Sequence, residues 1–325
     1  MSYTGPDFDV PQPERPGRLR RGLLTVSLAA LVPGALLGWL VYEAVGDPGG
    51  GSDTAAPPSA TGSPSASEAS KGAKASEKPV PPSSPGQNGK GAGRTPAASG
   101  PLKGKVVVID PGHNQGNFRH TAEINRTVDI GTNRKECDTT GTSTNAGYTE
   151  ARFTMDVAHR LRALLEAQGA TVKLTHDGDS PAWGPCVDER ARIGNDAHAD
   201  ASVSIHADGA ASGDRGFHVI LPGAVHAGSA DTRPIVSSSR DLGERIAGNF
   251  VRVTGEAPSN YIGGGTGLVT RKDLGGLNLS TVPKVFIECG NMRDSKDAAS
   301  LTSGNWRQKA AEGISEGIVS FLRGS

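Results

Sequence analysis

The sequence predicts an α/β fold, in which a single domain is built on a twisted, mainly parallel sheet flanked by helices. The clearest strand covers residues 106–109, which are all β-branched and are closed by Asp-Pro-Gly, a pattern typical of a strand buried in a parallel sheet. Two further apolar stretches, residues 201–206 and 285–288, end in His206 and Glu288. Helical patterns separate these stretches, and such alternation favours a parallel sheet covered on both faces.

The other elements follow from hydrophobic periodicity and from residues that begin or end helices. Residues 149–168 are predicted to be helical, because Phe153, Val157 and Leu161 recur at helical spacing and Gly169 stands where a helix C-terminus is capped. Asp188 is in the position to cap a short helix over residues 189–197. The pattern also predicts strands at 170–175, 216–221 and 282–288, and helices at 239–253 and 306–322.

Residues 114–147 are polar and rich in Gly, Thr and Asn, which predicts one long loop after the first strand. A loop of this length within a folded domain is usually functional or separately stabilised.

The first hundred residues differ in composition from the rest of the chain. Residues 1–21 form a polar, predicted cytoplasmic tail that ends in clustered arginines, and residues 22–45 are apolar over the roughly 20 residues that span a bilayer. We therefore predict a transmembrane signal-anchor at 22–45, with a cleaved signal peptide or a soluble helix as alternatives. Residues 46–100 form a Pro/Ser/Gly/Ala linker that is expected to be disordered. The folded domain is then assigned to residues 101–325.

The overall composition excludes some functions. The chain carries 34 Lys and Arg residues against 34 Asp and Glu residues, so it lacks the basic footprint of a nucleic-acid-binding protein. Its three cysteines are too few to build a disulfide scaffold, and their odd number leaves at most one pair and one free thiol.

Three strands that end in chemically active side chains predict a site at one edge of the sheet, because open α/β sheets place their sites at the carboxyl ends of strands. His113 and His206 supply nitrogen ligands of the kind found in catalytic zinc sites. Glu150, in the first turn of its helix, is the best third ligand, since the helix dipole favours its charged form. Glu288 ends a strongly apolar strand and is well placed for proton transfer. Each of these residues alone is more often an ordinary polar residue.

Four short segments together resemble a known family. They are residues 109–113 (IDPGH), 147–150 (GYTE), 204–208 (SIHAD) and 286–292 (FIECGNM). In this order they are similar to the zinc-dependent N-acetylmuramoyl-L-alanine amidases of the amidase-3 family, in its actinobacterial form, over residues 104–323. Asn114 and Gln115 depart from the Gly-Gly that many members carry, so the resemblance does not extend to the rim of the site.

The resemblance implies a site and a fold. It implies one zinc ion per chain held by His113, Glu150 and His206, with Glu288 as the catalytic acid and base. It implies a sheet of about six strands. It also suggests that Cys137 and Cys186 form a disulfide, since both lie in loops of a domain predicted to be exported, where oxidation is expected. Cys289 follows a core strand and is interpreted as a buried, inert thiol rather than a nucleophile.

Four residues near the motifs have open roles. Arg190, Asp208 and Asn291 are candidates for substrate contact, although each is more simply interpreted as structural. Asp110 either orients His113 or satisfies the turn that follows it.

The predicted function is zinc-dependent peptidoglycan hydrolysis at the amide between N-acetylmuramic acid and L-alanine of the stem peptide, in cell-wall remodelling or daughter-cell separation. The alternatives are a zinc peptidase acting within the stem peptide and a catalytically silent wall-binding regulator. The expected location is the cell membrane, with the catalytic domain on the cell-wall side, or outside the cell if the anchor is cleaved. Expected partners are peptidoglycan, the membrane and an activating or restraining protein. We expect a monomer that does not bind nucleic acid.

Overall fold

A six-stranded sheet forms the centre of the folded domain. The computed structural model describes residues 100–178 and 180–324, and the strands of this sheet lie in the order β4-β1-β5-β10-β6-β9. β4, β1, β5 and β10 are mutually parallel, whereas β6 is antiparallel to β10 and β9 is parallel to β6. Numbered along the chain, the strands are β1 Val106–Pro111, β2 Thr127–Asp129, β3 Arg134–Glu136, β4 Thr171–Leu174, β5 Ala201–Asp208, β6 His218–Pro222, β7 His226–Ala227, β8 Ala230–Asp231, β9 Leu268–Arg271 and β10 Lys284–Asn291.

Helices cover both faces of the sheet. The longest helices, α2, α4 and α7, pack on one face, and the shorter α3 lies against β1 and α5 on the other. In chain order the helices are α1 Thr121–Ile124, α2 Glu150–Ala167, α3 Val187–Asp196, α4 Val236–Thr254, α5 Gly275–Asn278, α6 Ser295–Thr302 and α7 Gly304–Arg323. Single 3-10 turns occur at Asn117–Arg119 and Gly263–Gly265. The prediction of a single α/β domain with a mainly parallel sheet is therefore confirmed.

The two faces of the sheet differ in chemistry because successive side chains of a strand alternate between faces. The odd-numbered residues of the three central strands are apolar and join the main hydrophobic core with α2, α4 and α7; among them are Val107, Ile109, Val203, Ile205, Val285 and Ile287. The even-numbered residues include Asp110, Ser204, His206, Lys284 and Glu288. One face is thus a dry core, and the opposite face carries the polar groups of the site.

Several predicted elements need correction. The segment 114–147 is not one loop, since it contains a 3-10 turn, the short helix α1 and the β2–β3 hairpin. Helix α3 begins at Val187 with Cys186 as its N-cap residue, so Asp188 lies inside its first turn and does not cap it. Strand β9 and helices α5 and α6 were not predicted.

The C-terminal helical region is also divided differently. Ser303 has extended backbone angles and therefore ends α6. Its side chain accepts a hydrogen bond from the backbone N–H of Trp306 and so caps α7, which begins at Gly304, two residues before the predicted start. Within the described part of the chain, none of the helices combines the length and apolar character needed to cross a bilayer. The transmembrane segment predicted at 22–45, the tail at 1–21 and the linker up to residue 99 lie outside the described residues and stay predictions.

Candidate metal centre

Strand register brings His206 and Glu288 side by side. The two residues are direct partners in the parallel pairing of β5 with β10, so their side chains leave the same face of the sheet. Phe286, two residues before Glu288, stacks on the His206 imidazole with ring centroids 5.3 Å apart. The ordinary geometry of two parallel strands therefore fixes both side chains.

His113 reaches the same place from a turn. It has a left-handed backbone conformation with φ of 61°, which is uncommon outside glycine. The preceding Gly112 must lack a side chain, because a Cβ there would lie 2.3 Å from the imidazole of His206. Gly141 is similarly restricted, since its φ is +72° and a Cβ would lie 2.7 Å from Cδ2 of His113. These two glycines allow the backbone to close around the two imidazoles.

Glu150 lies between the two histidines at the start of α2. Its Oε2 lies 3.2 Å from Nε2 of His113, and its Oε1 lies 3.0 Å from Nδ1 of His206. The backbone N–H groups of Thr142 and Ala207 also donate to this carboxylate, at 3.0 and 3.2 Å. Burial raises the pKa of Glu150, but the His113 and His206 imidazoles outweigh burial and hold that pKa well below its usual range. Glu150 is therefore an anion at neutral pH.

One ligand atom from each of His113, Glu150 and His206 lies within 4.8 Å of the others. The other nitrogen of each imidazole contacts a different group. Nδ1 of His113 lies 3.1 Å from the carbonyl oxygen of Thr139. Nε2 of His206 lies 3.2 Å from Oγ of Ser204. Such contacts fix the tautomer and orientation of metal-binding histidines. The three predicted ligands are thus brought together, with one ligand atom of each directed at the same point.

Glu288 lines the same cavity as the three predicted ligands. Among the described residues, its shielded Oε2 has no hydrogen-bond partner. Burial, together with the carboxylates of Glu150 and Asp208, raises the pKa of Glu288 well above its ordinary value. A shielded carboxyl oxygen without a partner is costly unless a ligand or a reacting group engages it.

A buried charge network supports the turn that carries His113. The guanidinium of Arg190 donates to the carbonyl oxygen of His113 at 3.1 Å, to Asp138 at 2.9 Å and to Asp110 at 2.8 Å. Oδ1 of Asp138 in turn lies 3.5 Å from Nδ1 of His113. Arg190 is 4% exposed and holds the turn of His113 through these hydrogen bonds, which is the role of a positioning residue. Its candidacy for substrate contact stays a prediction.

Asp110 connects this network to the other histidine. Its Oδ2 accepts hydrogen bonds from Ser204 at 2.9 Å and from Lys284 at 3.3 Å, and Ser204 lies next to His206. Asp110 therefore supports His206 through Ser204, and it is linked to the turn of His113 through Arg190.

The remaining candidates have separate positions. Cys137 and Cys186 form a disulfide that joins the residue before Asp138 to the start of α3. Cys289 is a buried free thiol, as interpreted from the sequence. Asn291 is buried and donates to the carbonyl oxygens of Ala211 and Asp214, which is a structural role. Asp208 lines the cavity and accepts a hydrogen bond from Tyr261 at 2.7 Å.

Sequence reasoning missed the supporting roles of Ser204, Asp138 and Thr139. The alternation of Ser with apolar residues in β5 was an available signal for Ser204, since a polar residue at every second position indicates that one face of a strand is polar. For Asp138 and Thr139 the sequence holds no comparable signal.

Comparisons with known proteins identify the family of the chain. The amidase-3 family model, described as N-acetylmuramoyl-L-alanine amidase, matches residues 107–320. The N-acetylmuramoyl-L-alanine amidase Rv3717 of Mycobacterium tuberculosis is 41% identical over 236 residues, which span 71% of this chain and 90% of that protein. The crystal structure of the amidase Ami1 from Mycobacterium smegmatis is 39% identical with a TM-score of 0.63, and the match covers 70% of this chain and all of that one.

A second Ami1 structure, the apo form from Mycobacterium abscessus, is also 39% identical, with a TM-score of 0.61 and coverage of 68% of this chain and 100% of that one. The family match spans the segments that carry His113, Glu150, His206 and Glu288. The chain therefore belongs to the amidase-3 family of N-acetylmuramoyl-L-alanine amidases.

Proposed function

We propose that this protein is a zinc-dependent enzyme that hydrolyses the amide between N-acetylmuramic acid and L-alanine of the peptidoglycan stem peptide. The observation that carries the proposal is the convergence of His113, Glu150 and His206 beside the unpartnered carboxyl oxygen of Glu288. Membership of an enzyme family with this activity supports the choice of bond.

The residues present fit a zinc ion. Two imidazole nitrogens and one carboxylate form the ligand set of many catalytic zinc sites, which leave a position open for water. Glu150 is anionic, and each histidine has one nitrogen engaged elsewhere and the other directed at the site. His113, Glu150 and His206 would hold the ion, which would supply Lewis-acid activation of water and of the substrate carbonyl.

The chain's own residues then supply positioning and proton transfer. Glu288 accepts a proton from the attacking water at its free carboxyl oxygen and later delivers it to the departing amine nitrogen of L-alanine. Phe286 stacks on the His206 ring and helps to hold its orientation.

Replacement of Glu288 by Gln tests the assignment of the acid and base. We expect turnover of purified cell wall to fall by about 10²- to 10⁴-fold, the usual contribution of general acid–base catalysis, with zinc content unchanged. The measurement pairs wall digestion with metal analysis of the same preparation. Full activity of E288Q would refute the role of Glu288.

Replacement of His113 by Ala provides the complementary case. This variant should lose both zinc and activity, whereas H226A, which changes an exposed histidine on β7, should lose neither.

Product analysis identifies the bond, because only an amidase releases whole stem peptides from intact glycan. Fragments cut within the stem peptide would instead identify a peptidase, and binding without turnover in the wild type would identify a silent wall-binding module.

The predicted anchor at 22–45 and linker at 46–100 would hold this activity on the wall side of the membrane, in remodelling or daughter-cell separation. Fractionation of cells that produce the full chain tests this location, since recovery in the medium would indicate cleavage of the anchor.

A further inference from the structure

The predicted zinc site lies between two cavities. The cavity called here the outer groove has a volume of about 530 Å³ and runs from Gly141 and Thr142 to Phe118. A second cavity, the inner pocket, lies on the side of Lys135, Gly276 and Phe286. Each shares lining residues with the central cavity that contains Glu150 and Glu288. The two cavities thus offer separate spaces next to the site for the two halves of a substrate.

The lining of the outer groove is polar but mostly uncharged. Its side chains include the hydroxyls of Thr140, Thr142, Ser143 and Thr149 and the amide of Gln115. Arg152 is the one charged residue among the described residues that line the groove, and its guanidinium lies over the ring of Tyr148. Neutral hydroxyls and amides suit the hydroxyl and acetamido groups of a sugar better than the carboxylates of a peptide.

Phe118 adds an exposed aromatic ring to this groove. The side chain is 61% exposed, the largest exposure of a large apolar residue in the described part of the chain. The guanidinium of Arg119 lies over one face of the ring, 4.9 Å from its centroid, which leaves the other face available for stacking. An aromatic ring exposed at a groove is characteristic of a binding surface. The C–H groups on one face of a pyranose pack well against such a ring, whereas the sugar's hydroxyls point outward to polar side chains.

The turn that carries Phe118 is held by two buried asparagines. Asn117 donates to the carbonyl oxygen of Thr139 at 2.7 Å and accepts from the N–H of Gly184 at 2.8 Å. Asn114 donates to the carbonyl oxygens of Pro181 and Gly184, both at 3.0 Å. The ring is therefore displayed on an anchored support, and Asn117 ties that support to the residue that also contacts His113.

We propose that the outer groove is the saccharide subsite, in which Phe118 stacks on a sugar of the glycan strand. The proposal rests on the proposed amidase function and adds the direction in which the substrate lies across the site. The stem peptide then extends towards the inner pocket and Lys135.

Binding of peptide-stripped glycan strands to the full-length protein tests this subsite directly. We expect F118A to raise the dissociation constant by about two- to tenfold, which is the range of a single aromatic contact, and F118W to restore it. V251A is the matched control, because Val251 is the other large apolar residue exposed in the described chain, on α4, and it does not line the groove. Equal affinity of the wild type and F118A for the glycan would overturn the proposal.

Kinetics separate this inference from the proposed function. With glycan strands that still carry their stem peptides as substrate, F118A should raise KM by the same factor. It should leave kcat within about twofold, because the ring touches no reacting atom. With an N-lactoyl stem peptide, which keeps the scissile amide but lacks the sugar, F118A and the wild type should not differ. An equal loss on both substrates would assign the groove to the peptide. An inactive wild type would contradict the amidase function itself, while glycan binding would still report on the groove.

Discussion

The two histidines of the site are supported in opposite ways. His206 projects from β5, which pairs on both sides with parallel strands, and its orientation follows from strand register. His113 lies past the end of β1, in a left-handed conformation, and its position depends on Arg190, Asp138 and the backbone of Thr139. Regular hydrogen bonding defines the first ligand, whereas buried charges that meet from distant segments define the second. We therefore expect substitutions around His113 to weaken the predicted zinc site more than substitutions around His206.

The largest effect should come from removing Arg190. R190M leaves Asp138 as a buried anion without its main partner, leaves Asp110 with Lys284 as its cationic partner, and frees the carbonyl oxygen of His113. Breaking a buried ion pair in this way costs about 3–5 kcal/mol. Urea unfolding measures the loss. R192M, two residues along the same helix, removes an exposed arginine and should change stability by less than about 1 kcal/mol. Similar losses in the two variants would contradict the role given to the buried network.

Removal of the Cys137–Cys186 disulfide should have the next largest effect. The bond spans 49 residues, and its loss is expected to cost about 2–4 kcal/mol. Because Cys137 precedes Asp138 and Thr139, the double variant C137A/C186A should also weaken zinc binding, which competition with a chelating dye measures. Reducing agent should reproduce both effects in the wild type and change neither in the double variant. A loss of stability with unchanged zinc affinity would show that the disulfide does not act on His113.

Acid should act on the same network. Burial raises the pKa of Asp138, but the neighbouring Arg190 and His113 outweigh it and lower that pKa far below the ordinary value. A carboxylate whose pKa is lower in the folded than in the unfolded protein stabilises the fold. This contribution is complete above the pKa in the unfolded chain, about 4, and is lost as the pH falls below that value. D138N should be less stable than the wild type at pH 7, by about 1–3 kcal/mol, and the difference should narrow towards pH 2. Unfolding curves of the metal-free proteins across this range measure it. A constant difference would mean that Asp138 does not titrate as described.

The contrast also explains what could be predicted from the sequence. The apolar runs of β1, β5 and β10 indicate buried strands, and the carboxyl ends of parallel strands lie at one edge, so the positions of His206 and Glu288 follow from local pattern. The support of His113 does not, because Arg190 is 77 residues away from the carbonyl oxygen that it binds. Strand β9 was missed for a related reason. It is a short edge strand of only partly buried residues, and neither a long apolar run nor a clear alternation marks it.

The smallest effect should come from Ser204, which supports His206. Its hydroxyl lies 3.2 Å from Nε2 of His206 and donates to Asp110 at 2.9 Å. S204A removes these contacts but leaves β5 paired with β1 and β10, so the backbone still holds the imidazole in register. We expect a loss of about 1 kcal/mol in stability and a loss of zinc affinity below about tenfold, the lower limit for outer partners of a metal ligand. D138N, which disturbs the support of His113, should lose about 10- to 100-fold in the same dye competition assay. If S204A loses more zinc affinity than D138N, then strand pairing is not what positions His206, and the contrast between the two ligands does not hold.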